Sequence, residues 1–466
     1  MKRIIFILLA AIIALYLCAC ESNFPEGDDD MDTISAFEFP KQPDFGREVS
    51  VHDPSVIRAN NGKYYAFGSH FAVSVSDDLI TWTQYSRDGE ANKLYDGNWR
   101  TVLANANEYV KNAASTWAPS VIYMNGKYYM YYSLSTFGSQ TSFIGRVESD
   151  SIIGPYTNSV EIIRSGDVNG PNAIDPEVFF DNEGKLWMVY GSFFAGIYIK
   201  ELYASGNKIG LPKKDGFGKR LWMGNMQNGP EGPFIFYNPQ TKYYYLMVSH
   251  ASLSRNYNMR VARSKNPDGP YVDIDGNNVS DIQNSGVKLA GNYQFANYST
   301  GYAALGHNSV IKVDNKYFVV HHLRYRQGEN VSGYHNQNTR QLFFNEDGWP
   351  VLAPNRYAGE SLGKVTLEQA SGFYDLLFHT NDNLAGFAES KRYELRNDGS
   401  IVYEEEQFGT WEISEAYYIT IKIGEDTYKG VVIPQWNNDL KKAGLSITAI
   451  ASTSTTRGPS LWANAV

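Results

Sequence analysis

The sequence predicts an all-β protein: a five-bladed β-propeller over residues 40–358, followed by a smaller C-terminal β-barrel or β-sandwich over residues 359–466. Two observations predict this fold. One hairpin plan recurs five times along the 466 residues, and no long segment has the apolar spacing typical of a helix. Aromatic residues make up 14% of the chain and charged residues only 20%, a composition that favours a large folded core over disorder.

The N-terminus has the features of an export signal. A short basic start precedes an apolar run at residues 4–17, which is too short for a stable membrane span. The run ends in Leu17-Cys18-Ala19-Cys20, which resembles the cleavage box of bacterial lipoproteins. We expect a signal peptide over residues 1–19, a lipid on Cys20, a flexible acidic tether over residues 20–39, and a location on the cell envelope, at the outer membrane or cell surface. Ordinary secretion with cleavage elsewhere is the alternative.

Each of five repeats opens with a short apolar strand, turns at a Gly- or Asn-containing segment, and continues into a strand rich in Tyr or Trp. The repeats begin at His52, Trp117, Ile174, Glu231 and His307. Such pairs of strands are typical of β-hairpins. Blocks of about 60 residues leave room for two more strands each, as in propeller blades. A β-sandwich with recurrent turns is the alternative, and five matched hairpins argue against it.

After Pro354 the pattern changes to short strands separated by Gly, Asn and Asp turns. The length of this part suits a second β domain, and it contains no chemical motif that we recognise.

Charge and cysteine content exclude several classes of partner and site. With 41 Lys and Arg against 50 Asp and Glu, the net charge is −9, and no basic run is present. Nucleic acid is therefore not expected as a partner. The two cysteines both lie in the first 20 residues, so the folded body has neither a disulfide nor a thiolate metal site. We expect a monomer.

Alignment of the repeats brings one set of positions to one end of the central channel, because the first strand of each blade lines that channel. These positions are Asp53, Ala118, Asp175, Gly232 and His307, with Glu231 directly before Gly232. Three carboxylates and an imidazole would therefore surround one cavity. Any one of these residues could instead have a structural role in a turn, a loop or the core. Their occurrence at one position of the repeat favours a functional site.

The remaining histidines show no spacing typical of metal ligands, so we do not expect zinc. They are His70, His250, His321, His322, His335 and His379.

Convergent carboxylates in an aromatic-rich cleft suit acid and base catalysis on a neutral, hydroxyl-rich substrate, and glycoside hydrolysis is the leading case. In an inverting glycosidase one carboxylic acid protonates the leaving oxygen, while a carboxylate activates water on the opposite face of the sugar. A third carboxylate beside the acid raises the pKa of that acid.

Seven motifs in this order resemble glycoside hydrolase family 43, and within it the endo-α-1,5-L-arabinanases. They are His52-Asp53-Pro54-Ser55, Trp117-Ala118-Pro119-Ser120, Asn172-Ala173-Ile174-Asp175-Pro176, Tyr190-Gly191-Ser192-Phe193, Gly229-Pro230-Glu231-Gly232-Pro233, Gly306-His307-Asn308 and Asn345-Glu346-Asp347-Gly348-Trp349-Pro350-Val351. The resemblance implies a five-bladed propeller that acts on plant arabinan and arabino-oligosaccharides. It also implies that the C-terminal domain corresponds to the extra barrel of two-domain arabinanases.

The same resemblance implies roles for individual residues. Asp53 would be the general base, Glu231 the general acid, and Asp175 the residue that orients the acid and tunes its pKa. A calcium ion in the central channel would be held mostly through water, with His307 as its protein ligand.

Four further residues are implied to bind substrate. Trp117 would stack on a sugar ring, with an ordinary core tryptophan as the alternative. Asn172, Ser192 and Phe193 would bind the arabinose units nearest the cleaved bond.

Two departures from the family pattern bear on specificity. Phe194-Ala195 follows Phe193, and an insertion at residues 91–112 could wall one end of the cleft. Three functions therefore stay open: an endo-arabinanase, a chain-end arabinofuranosidase or xylosidase, and a non-catalytic glycan-binding lipoprotein. The presence of all three carboxylates argues against the last.

Overall fold

The computed structural model describes residues 34–111, 113–166 and 169–466. The expected signal peptide, Cys20 and the tether before residue 34 lie outside the described residues. Within the ranges that are described, helices are too short or too polar to cross a membrane.

Four antiparallel sheets of four strands follow one another along the chain, each built from consecutive strands. The first contains β1 (Ser55–Arg58), β2 (Tyr64–Phe67), β3 (Val73–Ser76) and β4 (Trp82–Ser86). The second contains β5 (Trp117–Met124), β6 (Lys127–Leu134), β7 (Ser142–Ser149) and β8 (Thr157–Ser165). The third contains β9 (Glu177–Phe180), β10 (Leu186–Tyr190), β11 (Gly196–Leu202) and β12 (Lys219–Met223). The fourth contains β13 (Glu231–Asn238), β14 (Tyr243–His250), β15 (Asn258–Ser264) and β16 (Val287–Ala290).

The fifth repeat lies in a larger sheet of seven strands rather than in a fifth four-stranded one. Its strands are β17 (Tyr293–Gln294), β18 (Tyr302–Val313), β19 (Lys316–Gln327), β20 (Asn330–Val331), β21 (Asn336–Phe344), β22 (Pro350–Leu352) and β24 (Ala388–Glu389). β24 comes from the C-terminal part of the chain and pairs in parallel with β17. The sequence predicted five blades, whereas the described residues form four four-stranded sheets, with the strands of the fifth hairpin inside this larger sheet.

The sheets are arranged like the blades of a propeller. β1 contacts β5, β5 contacts β9, β9 contacts β13, β13 contacts β18, and β18 contacts β1, so the first strands form a closed ring. A separate apolar cluster fills the space between each sheet and the next. The fold therefore places the starts of all five first strands around one axis.

Burial on both faces explains why the second strands are aromatic throughout rather than alternating. In β6, Tyr128, Met130 and Tyr132 pack toward the first sheet. Tyr129 and Tyr131 point the other way, into the cluster shared with the third sheet. Successive side chains of a strand alternate between faces, so a strand that lies between two neighbours needs large apolar residues at every position.

Within residues 34–111, 113–166 and 169–466, the helices are all short. α1 (Trp99–Val102) and α2 (Ala104–Tyr109) lie in the insertion, whose last residue, Asn112, is outside the described residues. Both helices contact β8, and α2 also contacts β7, so the insertion packs on the outer strands of the second sheet. α3 (Leu367–Ala370) directly precedes the first barrel strand of the C-terminal domain and has a capping box at Thr366 and Gln369.

The C-terminal domain is a closed barrel of eight strands. They are β23 (Gly372–His379), β25 (Lys391–Leu395), β26 (Ser400–Tyr403), β27 (Glu406–Ser414), β28 (Tyr418–Ile423), β29 (Asp426–Asn437), β30 (Lys442–Ala451) and β31 (Ser460–Ala465). Of the two architectures expected, the structure has the barrel. The buried Arg260 of the fourth sheet donates hydrogen bonds to the backbone oxygen of Asn381 at 2.7 Å and to its Oδ1 atom at 2.9 Å.

Candidate active site

The five aligned positions share one unusual backbone conformation. Asp53, Ala118, Asp175, Gly232 and His307 all have positive φ angles, between 30° and 58°. Side chains other than glycine rarely adopt this left-handed region. In β5, β13 and β18 the register with the second strand shifts at the same place, as in a β-bulge. The structure therefore repeats one local geometry five times around the axis.

The backbone N–H of every one of these residues donates a hydrogen bond to a side chain of the preceding sheet. The acceptors are His322 Nδ1 for Asp53 (3.1 Å), Ser69 Oγ for Ala118 (2.8 Å), Ser133 Oγ for Asp175 (3.1 Å), Asp175 Oδ2 for Gly232 (3.0 Å) and Ser249 Oγ for His307 (2.8 Å). We call this set the acceptor belt. It links all five sheets at the end of the channel where the carboxylates lie.

The surroundings of Asp53 favour its ionised form. His307 Nδ1 lies 3.0 Å and His52 Nε2 lies 3.2 Å from Asp53 Oδ1. Ser69 Oγ donates a hydrogen bond of 2.6 Å to the other oxygen. Burial alone would raise the pKa of Asp53, but His307 and His52 outweigh it and hold the pKa well below its ordinary value. In turn Asp53 raises the pKa of His307 to about 9, against the effect of burial.

The surroundings of Glu231 favour its protonated form. Burial raises the pKa of Glu231, and the negative charge of Asp175 raises it further. Burial also raises the pKa of Asp175. Ser192 Oγ donates a hydrogen bond of 2.9 Å to Glu231 Oε2. The site thus combines a carboxylate suited to accept a proton with a carboxylic acid suited to donate one.

A fourth carboxyl group, Glu177, belongs to this cluster and was not identified from the sequence. Burial raises the pKa of Glu177 to about 8, against the opposing effects of a hydrogen bond with Ser120 and of the charge of His307. The repeat alignment carried a signal for it, because Glu177 stands where three other repeats have Ser55, Ser120 and Ser309.

The predicted substrate-binding residues differ in their distance from this centre. Ser192 and Phe193 lie against Glu231: Ser192 bonds to its carboxyl group, and the Phe193 N–H donates to the Pro230 oxygen at 2.8 Å. Trp117 is half-buried at the start of β5, and pairs with Ser133 of the acceptor belt. Asn172 is buried, and its Oδ1 atom has no hydrogen-bond partner among the described residues.

Three histidines that are separated in the sequence lie close together in the structure. One nitrogen each of His52, His322 and His335 lies within 4.8 Å of the others, a grouping that we did not expect. They come together because His322 pairs with Gln337 at the start of β21, while a bridge from Ser50 to Asn336 brings the segment before β1 to the same place. The rings of His52 and His335 are stacked, with centroids 3.8 Å apart and planes at 24°. The in-plane lone pairs of stacked rings do not converge on one point, so this arrangement is not that of a metal centre.

Two family models together match most of this chain. A family model described as Glycosyl hydrolases family 43 matches residues 47–350, and one described as a C-terminal lipocalin-like domain matches residues 354–463. An extracellular endo-alpha-(1->5)-L-arabinanase of Thermotoga petrophila is 40% identical over 469 residues, which cover 91% of this chain and 94% of that protein.

Two further matches span nearly the whole chain. Extracellular endo-alpha-(1->5)-L-arabinanase 2 of Bacillus subtilis is 36% identical over 92% of this chain and 96% of its own length. The crystal structure of the endo-1,5-alpha-L-arabinanase from Thermotoga petrophila RKU-1 superposes with a TM-score of 0.84 at 39% identity, and covers 91% of this chain and 100% of that one.

Proposed function

This chain belongs to glycosyl hydrolases family 43, and from that premise we propose that it cleaves internal α-1,5-L-arabinofuranosidic bonds of arabinan with inversion at the anomeric carbon. The substrate is supported by two endo-arabinanases that match this chain over more than nine-tenths of both lengths. The observation that carries the chemistry is the contrast between Asp53, whose pKa is lowered, and Glu231, whose pKa is raised. Opposite shifts in one pair of carboxyl groups are typical of an acid and base pair.

In this proposal Glu231 gives its proton to the glycosidic oxygen as the bond from that oxygen to the anomeric carbon breaks. Asp53 accepts a proton from a water molecule, whose oxygen bonds to the anomeric carbon from the opposite face. The product therefore has the inverted configuration. Exchange with solvent then returns a proton to Glu231 and removes one from Asp53.

Asp175 orients the acid in this mechanism. Its Oδ2 atom accepts the N–H of Gly232, the residue that follows Glu231, and its charge raises the pKa of Glu231. For substrate binding we propose Ser192 and Phe193, which border Glu231, and Trp117 and Asn172, which lie in the segments before Ala118 and Asp175.

We further propose a hydrated calcium ion in the channel beside His307. One ring nitrogen of His307 contacts Asp53, and the other would bind the ion after losing the proton that the raised pKa of His307 keeps on the free ring. Both polar side-chain atoms of the neighbouring Asn308 are buried and have no hydrogen-bond partner in the part of the chain that the structure describes, which suits an ion held through water. When bound, the ion would supply positive charge beside the carboxylates. Removal with EDTA and return of calcium should lower and restore the melting temperature.

The proposal includes five blades within residues 40–358, with the seven-stranded sheet counted as the fifth. Two observations support this count. The seven-stranded sheet takes one place in the ring of first strands, and it takes one place in the acceptor belt. We also propose an extracellular monomer anchored through Cys20, supported by the lipoprotein-like box and by relatives named as extracellular. Metabolic labelling with a radioactive fatty acid should label the wild type but not Cys20→Ser.

The function is tested by a time course of residues 21–466 on linear debranched arabinan, with arabinoxylan as the control polymer. We expect mixed arabino-oligosaccharides early in the reaction from arabinan alone. Release of arabinose or xylose alone from the outset would indicate a chain-end enzyme. Absence of any product would favour a glycan-binding protein.

A further inference from the structure

His322 occupies the position in the fifth sheet that a serine occupies in the first, second and fourth sheets. In the acceptor belt, Ser69, Ser133 and Ser249 each accept a hydrogen bond from an N–H of the next sheet, and each lies six or seven residues after the lysine of its hairpin turn. His322 lies at the same place in β19 and accepts the N–H of Asp53 at 3.1 Å. The one imidazole in this set is therefore the acceptor for the residue to which we assign the general base.

The His322 ring is fixed by its neighbours. Its side chain is fully buried, and it lies nearly parallel to the Tyr257 ring, with centroids 5.7 Å apart and planes at 16°. His335 meets it edge-on at 4.5 Å. Burial and the nearby histidines hold the pKa of His322 well below its ordinary value, so the ring is neutral and Nδ1 is free to accept.

The N–H that His322 accepts belongs to a residue in a demanding conformation. Asp53 has a φ of 56°, which a non-glycine residue maintains only when its surroundings hold it there. Without an acceptor, the buried N–H would be left unpaired, and a relaxed backbone would satisfy it better. Any such relaxation turns the Asp53 carboxylate away from its partners.

We propose that His322 is the positioning residue for Asp53, holding its backbone in the left-handed conformation that presents the carboxylate to the cleft. The inference rests on the proposed role of Asp53 as general base. The base acts on water only as the reaction proceeds, so its displacement should lower kcat and leave KM nearly unchanged. A displacement of about 1 Å in a reacting group costs about 100-fold in rate.

The test compares His322→Leu, His322→Asn and His322→Gln by kcat and KM on debranched arabinan and by thermal unfolding. The asparagine amide can place its oxygen near the position of Nδ1, whereas the glutamine amide lies one methylene farther out. We expect kcat to fall about 100-fold in the Leu and Gln variants at nearly constant KM, and to fall less than about tenfold in the Asn variant.

A matched control is His379→Leu. His379 is a buried histidine of the barrel whose Nδ1 accepts the Gly291 N–H at 3.4 Å, so its removal is a similar structural loss away from Asp53. We expect this variant to lose stability and keep its kcat.

Three results would overturn the inference: an unchanged kcat in His322→Leu, equal kcat in the Asn and Gln variants, or a kcat loss in His379→Leu that matches that of His322→Leu. If the Leu variant does not fold, the Asn and Gln pair decides alone. Asp53→Asn, measured in parallel, tests the proposed role of Asp53 as general base separately from the positioning role of His322. If Asp53→Asn keeps its turnover, Asp53 is not the general base. If Asp53→Asn loses its turnover while His322→Leu keeps the wild-type kcat, only the positioning role of His322 is refuted.

Discussion

Asp53 is buried and Glu231 is partly buried at one end of the channel, and their surroundings favour different protonation states, ionised for Asp53 and neutral for Glu231. Asp53 meets two histidine rings and a hydroxyl donor. Glu231 meets a hydroxyl donor and the like charge of Asp175. Burial acts to raise the pKa of both groups, so the charged neighbours decide why the net shift is downward for Asp53 and upward for Glu231.

Glu231→Gln tests the role of the acid. Glutamine keeps an oxygen for the Ser192 hydroxyl but has no proton to give, so we expect kcat on arabinan to fall by roughly 10²–10⁴-fold. A dinitrophenyl arabinofuranoside, whose leaving group needs no proton, should lose far less. Steady-state kinetics on both substrates measures this, and equal losses on the two would remove Glu231 from the acid role.

Asp175→Asn tests the electrostatic coupling. Asparagine can still accept the Gly232 N–H, but the negative charge that raises the pKa of Glu231 is gone. The acid must be protonated to act, and activity is lost as pH rises through its pKa. A lower pKa therefore moves the basic limb of the kcat/KM profile to lower pH. A basic limb that stays in place would show that Asp175 does not tune the acid.

At the residue scale the repeat alignment identified Asp53, Asp175, Glu231 and His307, because residues in one repeat position meet at one place in a closed ring. It missed the other four members of the acceptor belt, although each of them lies six or seven residues after the lysine of its hairpin turn. Serine and histidine at a strand end are ordinary residues in a sequence. Their function depends on the next sheet, whose position only the folded ring supplies.

At the scale of single strands, β18 shows how a bulge presents a side chain. Its register with β19 shifts twice, between Ala303 and Gly306 and between Gly306 and Ser309. His307 lies inside the second shift with its left-handed backbone. The hydrophobic pattern predicted the strand correctly, but a pattern of period two cannot show where one residue is inserted.

Gly306→Ala tests this part of β18. A methyl group at Gly306 would overlap the Tyr257 ring, and would lie 2.9 Å from Ser249 Oγ in the acceptor belt. We expect a loss of about 1–3 kcal/mol in the free energy of unfolding and a reduced kcat. Urea unfolding and arabinan kinetics measure the two effects. Gly386→Ala is the control, since nothing lies within 4 Å of a methyl group there, and equal behaviour of the two variants would contradict the prediction.

At the scale of the whole molecule, the sequence predicted two β domains but not how they share strands. β17 and β24 have two residues each, too few for any periodic signal, and their pairing joins the last sheet to a segment of the barrel region. Arg260 and Asn355 add buried hydrogen bonds across the same contact. Contacts of this kind depend on the arrangement of complete domains, which a local pattern does not contain.

The segment between the two domains contains a buried carboxyl group, Glu360. Its oxygens accept the Ala358 N–H at 2.7 Å and the Gln435 amide at 2.8 Å, so it ties the segment after the last sheet to β29. Burial raises the pKa of Glu360 from 4.5 to about 7. The folded state therefore keeps a proton that the unfolded chain releases at lower pH.

That difference makes stability fall as pH rises from about 4.5 to 7, by up to about 1.4 kcal/mol per pH unit. Glu360→Gln cannot ionise, so we expect its loss of unfolding free energy between pH 5 and pH 8 to be smaller than that of the wild type by about 3 kcal/mol. Urea unfolding at both pH values measures this, with Glu368→Gln as the control because Glu368 is exposed. The remaining buried carboxyl groups are common to all three proteins and cancel in the comparison. An identical pH dependence in Glu360→Gln and the wild type would mean that Glu360 is ionised in the folded protein, and that the junction between propeller and barrel tolerates a buried charge.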